Sequence, residues 1–239
     1  DHRDPTAIAV YGARIAADGT VLDPGGFPIS TGANHFEPVV AFDGTCFFVA
    51  WTDFRLGTSS IYGARVSSDG EVLDPAGFSI SDTGNNHRGV ALASDGNQVL
   101  AVWSSEHSGS RGIWGKRFAR GTGLPFDTTA QLIADPPQNQ EVPDIAFGGG
   151  NFMVVFRDAR DDMGDIYGIR VRPDGTPIEP APFPLAVAVG FQDLPRVASG
   201  PNGFVAVWAD ERNPWPAYND VYGARISLTG TVLDPNGRP

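Results

Sequence analysis

The chain has 239 residues, of which 30 are glycine and 20 proline, well above the usual ~12 per cent for the pair and hard to reconcile with helical bundles. An apolar content of 41% with 15 phenylalanines is enough for a core and excludes wholesale disorder. A net charge of −11 with a single lysine, Lys116, disfavours nucleic acid and anionic membranes as partners. No apolar run approaches the ~20 residues of a membrane span, so no membrane insertion is expected, and Asp1-His2-Arg3-Asp4 does not read as a signal peptide.

In chain order, the first recognisable element is Tyr11-Gly12-Ala13-Arg14. It is followed by Asp18-Gly19-Thr20-Val21-Leu22-Asp23-Pro24. Asp-Gly between alternating residues predicts a two-residue β-hairpin, because glycine adopts the positive φ that such turns need. The motif then recurs as Tyr62-Gly63-Ala64-Arg65, Trp114-Gly115-Lys116-Arg117, Tyr167-Gly168-Ile169-Arg170 and Tyr222-Gly223-Ala224-Arg225, with steps of 51, 52, 53 and 55 between its glycines.

Between successive copies lies a second, more apolar hairpin: Pro38 to Trp51, Val90 to Trp103, Pro143 to Phe156 and Pro195 to Trp208. These runs of Val, Phe and Ala predict strands buried on both faces. One period is therefore two hairpins, or four antiparallel strands, and radial repetition of four short strands is the β-propeller pattern.

The expected fold is all-β: a β-propeller with four complete four-stranded antiparallel blades plus an extra outer hairpin. A five-bladed ring is favoured, with four blades as the alternative. The repeats of this single domain, 1–239, fall at about 1–37 (partial), 38–88, 89–141, 142–193 and 194–239. Residues Asp1-His2-Arg3 align with Asp53-Phe54-Arg55, and one further inner hairpin after Pro239 would equalise the blades. The chain is thus expected to belong to a longer parent, or to an oligomer. With these motifs and its acidic balance it resembles the repetitive β-propellers of bacterial secreted and surface proteins. The resemblance implies an extracellular or cell-surface location and leaves lectin, scaffold and glycosidase functions open.

Trp-x-Asp-x-Arg closes the inner hairpins at Trp51/Asp53/Arg55 and Trp208/Asp210/Arg212, weakens to Phe156/Asp158/Arg160, and degenerates at Trp103/Glu106/His107. Its recurrence points to blade closure, with aspartate accepting backbone N–H bonds and pairing with arginine. Tyr62, Tyr167 and Tyr222 are read as packing between sheets rather than as a sugar platform. Arg65, Arg170 and Arg225 are expected to pair with the aspartates of a neighbouring strand. Cys46, the only cysteine, lies in an apolar run and is expected to be an inert buried thiol.

The candidate ligand-binding residues precede the inner hairpins: Asn34, His35, Asn86, His87, Asn139, Gln140 and Gln192. Such neutral donors and acceptors around a channel mouth suit sugar hydroxyls. Trp215 and Tyr218, in an insertion that departs from the repeat, are added as contact residues. No cofactor or metal site is expected. His35 and His87 lack a metal-ligand spacing even with Glu37 or Glu141, and calcium is conceivable only through the acidic stretch Asp158–Asp165. Glu37, Glu141, Asp144 and Asp193 are the carboxylates able to break the symmetry, as a propeller glycosidase would need.

No nucleophile elbow or phosphate loop is present. The resulting expectation is a module without catalytic activity that binds a glycan, with a scaffold acting on protein surfaces as the alternative and a glycoside hydrolase as the second alternative.

Overall fold

The computed structural model describes residues 8–32, 34–82, 86–107, 109–135, 137–161, 164–213 and 220–239, apart from the side chain of His107. The described residues are all-β. Blade one is the short pair β1 (Tyr11–Gly12) and β2 (Phe27–Pro28). Blade two has the order β3 (His35–Phe42), β4 (Phe47–Asp53), β5 (Ser60–Val66), β6 (Phe78–Ser79). Blade three follows with β7 (His87–Ser94), β8 (Gln98–His107), β9 (Ser110–Ala119) and β10 (Gln131–Ala134). Blade four comprises β11 (Gln140–Gly148), β12 (Asn151–Asp158), β13 (Asp165–Val171) and β14 (Phe183–Ala186). Blade five has β15 (Gln192–Gly200), β16 (Gly203–Asp210) and β17 (Asp220–Ser227); a reciprocal backbone bridge at 2.9 Å between Gly223 and Arg238 supplies its fourth member. This is a β-propeller of antiparallel four-stranded blades, with one extra outer hairpin.

Four apolar clusters lie between consecutive blades, and each combines residues from both neighbours. Phe48, Ala50 and Ile61 of blade two, for example, pack on Val99, Ala101 and Trp103 of blade three. Val154 and Phe156 of blade four pack on Leu100, Val102 and Ile113 of blade three. Because both faces of each middle blade are covered, their second strands read as unbroken apolar runs instead of alternating ones.

The tight turn of the outer hairpin differs in detail from the expected two-residue loop. Gly19 N–H donates to Ala16 C=O at 2.9 Å and Ala16 N–H donates to Thr20 C=O at 2.8 Å, leaving three loop residues with Gly19 at φ 88°. This is a type I turn closed by a left-handed glycine. The Tyr-Gly-x-Arg arginines also find other partners than expected. Arg14, Arg65, Arg170 and Arg225 pair with Asp23, Asp74, Glu179 and Asp234 in the turn that follows, at 2.7–2.8 Å. Several also reach the next blade: Arg65 donates to Gly121 C=O at 2.7 Å and Arg170 to Leu228 C=O at 3.1 Å.

The Trp-x-Asp-x-Arg closure is built as a buried polar knot. Asp53 is completely buried and accepts from the Trp51 indole at 2.9 Å, from the Arg55 backbone N–H at 2.8 Å and from the Arg55 guanidinium at 2.7 Å. Asp210 repeats the pattern, accepting from Trp208 at 2.8 Å and from the Arg212 backbone at 3.0 Å. Each of these arginines then lies over the repeat tyrosine: Arg55 on Tyr62 at 4.1 Å, Arg160 on Tyr167 at 4.2 Å and Arg212 on Tyr222 at 4.0 Å. The tyrosine faces are therefore used internally. Cys46 is free and buried, and burial pushes its pKa up to about 11.

Candidate active site

The first strand of each complete blade carries a bulge at the same place. In β3 the register passes from Phe36↔Thr52 to Val39↔Ala50, so Glu37 and Pro38 together oppose Trp51. The same two-to-one arrangement sets Gly89 and Val90 against Trp103, Val142 and Pro143 against Phe156, and Leu194 and Pro195 against Trp208. The first residue of each bulge has positive φ: Glu37 53°, Gly89 62°, Val142 52° and Leu194 53°. For non-glycine residues, and for a β-branched valine above all, that conformation costs of the order of 1–3 kcal/mol. Bulges re-aim side chains and gather beside active sites.

The four bulges surround one cavity of about 530 Å³, within the range of small-ligand sites. Its wall includes Glu37, Arg88, Glu141, Asp144, Leu194 and Arg196. Around this cavity the blades differ from one another at three successive places. The bulge position carries Glu37, Gly89, Val142 and Leu194; the residue before it is Phe36, Arg88, Glu141 or Asp193; and the position two after it is Val39, Ala91, Asp144 or Arg196. Since the fold tolerates valine or alanine at the last position, it does not require the carboxylate of Asp144 there.

Asp144 is half-buried, and desolvation raises its pKa against the opposing pull of the Val197 N–H, which donates to its Oδ2 at 2.7 Å, of the Ile145 N–H and of Arg196. Glu141 is differently placed. It forms ion pairs with Arg157 and, at 3.5 Å, with Arg111, while Arg157 also reaches Asp193 at 3.2 Å. Glu37 is exposed on the cavity wall, and the Thr52 hydroxyl donates to it at 3.5 Å. Asp144, whose pKa burial raises, and the exposed Glu37 line the same cavity, and two carboxyl groups in unlike environments are what an acid and base pair needs.

The expected ring of Asn, His and Gln residues is placed elsewhere, which corrects that reading. His35, His87, Gln140 and Gln192 are 2%, 3%, 0% and 0% exposed. They are the first residues of the inner strands, paired with Asp53, Ser105, Asp158 and Asp210, instead of belonging to loops that open on the channel. The ring and amide nitrogens of three of them, His35, His87 and Gln140, hold the blade-closing knots. His35 Nε2 lies 3.0 Å from Asp53, Gln140 Nε2 donates to Asp158 at 2.9 Å, and Trp103 donates to His87 Nδ1 at 3.2 Å. Gln192 Nε2 donates to Gly190 C=O at 3.0 Å.

The asparagines are structural too. Asn34 and Asn139 accept from the Ile8 and Arg111 backbone N–H groups of the preceding blade, at 3.4 and 3.0 Å, and Asn86 donates to Glu106 at 3.1 Å. Trp215 and Tyr218 lie outside the described residues. In the acidic stretch, Asp158 is taken up by Arg160 at 2.7 Å and Asp161 accepts from the Tyr167 hydroxyl at 2.9 Å. Among the described residues no group of three metal-ligating side chains occurs.

The carboxylates were identifiable as departures from the repeat. Arg88, Arg111, Arg157 and Arg196 were not singled out, although comparing the blades position by position marks Arg88 and Arg196 in the same way.

No family model and no curated protein matches the sequence. Solved structures do match. A thermostable family-43 glycoside hydrolase superposes with a TM-score of 0.58 at 12% identity, over 87% of this chain and 77% of its own. A family-43 endo-arabinanase from Bacillus licheniformis gives 0.54 at 15% identity, over 93% and 91%. A family-43 α-L-arabinofuranosidase from Clostridium thermocellum gives 0.57 at 12%, over 87% and 75%. At these identities the likeness establishes the propeller fold. The expectation of a module without catalytic activity is contradicted by these neighbours, which are glycoside hydrolases by name, arabinanases and an arabinofuranosidase among them.

Proposed function

We propose that the chain is a propeller glycoside hydrolase whose substrate is an arabinan-type glycan, met outside the cell where such polymers occur. The observation that carries this reading is Asp144, a carboxyl that the fold does not need, held at the cavity wall with its pKa raised by burial. It is supported by the glycosidase neighbours, several of them arabinanases by name.

In this reading protonated Asp144 is the general acid and gives its proton to the departing glycosidic oxygen. Glu37, on the wall of the same cavity two blades away, is the base that takes a proton from the attacking water. Glu141 is held by Arg157 and Arg111 and acts as a fixed charge at the rim. Neither arginine is free to neutralise Asp144, which keeps the acid and the fixed carboxylate distinct.

The test is release of reducing ends from linear and branched arabinan, and of phenol from aryl arabinofuranosides, by the wild type and by Asp144→Asn and Glu37→Gln. General acid–base catalysis contributes ~10²–10⁴-fold, so each variant is expected to lose that much in kcat with its melting temperature retained. Wild-type inactivity on all these substrates, or full activity of Asp144→Asn, refutes the proposal.

A further inference from the structure

We infer that the uncovered flank of blade one is a docking site for a two-stranded β-hairpin built like the chain's own inner hairpins. In blades two to five the Tyr-Gly or Trp-Gly strand has an inner hairpin on its channel side, whereas the sheet of blade one consists, among the described residues, of β1 and β2. The blade-to-blade interface also stops short on both sides of this place. On blade five, Val205, Val207 and Val221 are 48%, 37% and 69% exposed. Their equivalents in blade four, Met153, Val155 and Ile166, are wholly buried against Phe204, Ala206 and Trp208. On blade two, Val40, Phe42 and Phe47 are 61%, 50% and 36% exposed and, with β1, line a second cavity of about 810 Å³.

The repeat itself states the chemistry of the occupant. An inner hairpin of this family of blades would hydrogen-bond to β1 and set an aromatic–alanine–aromatic face on the three valines, as blade five does on blade four. Its other face would cover Val40, Phe42 and Phe47. Ordering two strands is then offset by backbone pairing along one edge and apolar burial on two faces. A second copy of the chain cannot supply this hairpin intact, since among the described residues all four inner hairpins are paired within their own blades. The inference is independent of whether the cavity hydrolyses glycans.

The probe is a fluorescein-labelled synthetic peptide copying Gln192–Asp210, titrated with the protein and followed by anisotropy. Saturable one-to-one binding is expected. The double variant Val205→Asp plus Val207→Asp should weaken it by about 100-fold, because buried carboxylates oppose docking, while Val189→Asp, outside the cavity, should leave it unchanged. The same hairpin is also joined to the protein through a Gly/Ser linker and is expected to raise the melting temperature by at least about 5 °C. Absence of both binding and stabilisation overturns the proposal. So does a protein dimer in sedimentation that the double variant dissolves, which would assign the surface to a second copy.

Discussion

Replacing Asp53 with alanine tests the physical account of how the blades close. The carboxylate has no exposed surface and satisfies the Trp51 indole, the Arg55 guanidinium and backbone N–H, and the His35 ring, all within 3.0 Å. Burial opposes its ionisation, but these donors prevail and hold its pKa well below the usual carboxylate range. Asp53→Ala leaves the buried Trp51 and His35 groups without an acceptor and strips the Arg55 cation of its partner. Removing one side of a buried pair costs about 3–5 kcal/mol, and at roughly 2–4 °C per kcal/mol for a chain of this size the melting temperature should fall by about 6–20 °C. The assay is calorimetric or circular-dichroism melting of Asp53→Ala beside Glu71→Ala, an exposed carboxylate on the outer hairpin. A fall of less than about 2 °C for Asp53→Ala, or equal falls for both variants, would refute the claim that this knot closes the blade.

Blade three lacks the aspartate, and Trp103 donates to His87 instead, whose pKa burial lowers. The unfolded chain therefore takes up the proton first. The stabilisation is complete above the unfolded value of about 6.5 and is lost as pH falls through the lower folded value, so thermal stability should drop on acidification below about pH 6.5. His87→Gln, which installs the residue that blades four and five use, should flatten that part of the profile; an unchanged profile rejects the assignment. For Asp144, activity is expected to fall as pH rises through its elevated pKa, and a profile without that alkaline limb, measured on arabinan, contradicts its role as the acid. Gly237→Ala should destabilise by at least about 1–2 kcal/mol because the residue sits at positive φ; a Cβ there would come within 2.5 Å of the Trp208 ring. An unshifted melting curve would show that the ring can move aside.

Much of the architecture was legible before any coordinates. The spacing of the Tyr-Gly-x-Arg glycines, the apolar inner runs and the absence of helical periodicity lead directly to four-stranded blades, because short-range pattern and turn chemistry decide which strands form hairpins. The buried state of Cys46 followed from the same apolar run. The ligand residues were misplaced for a specific reason. The bulge at Glu37-Pro38 and its equivalents looks in sequence like the start of a strand, with proline as the boundary in three of the four blades, yet pairing continues through it and carries His35, His87, Gln140 and Gln192 into the interior.

Residue order and pattern were enough to settle the repeat, the strand pairing inside each blade and the closing Trp-x-Asp-x-Arg motif, since these depend on neighbours a few residues apart. Which side chains meet in the cavity depended on how five copies of one unit are turned about an axis. That rotation brings Glu37, Arg88, Asp144 and Arg196 from four different blades to one wall, although about 50 residues of chain separate each from the next. It also leaves Val205 and Phe42 uncovered at positions where the intervening blades meet. A pattern repeated along a line carries no record of what will converge at its centre.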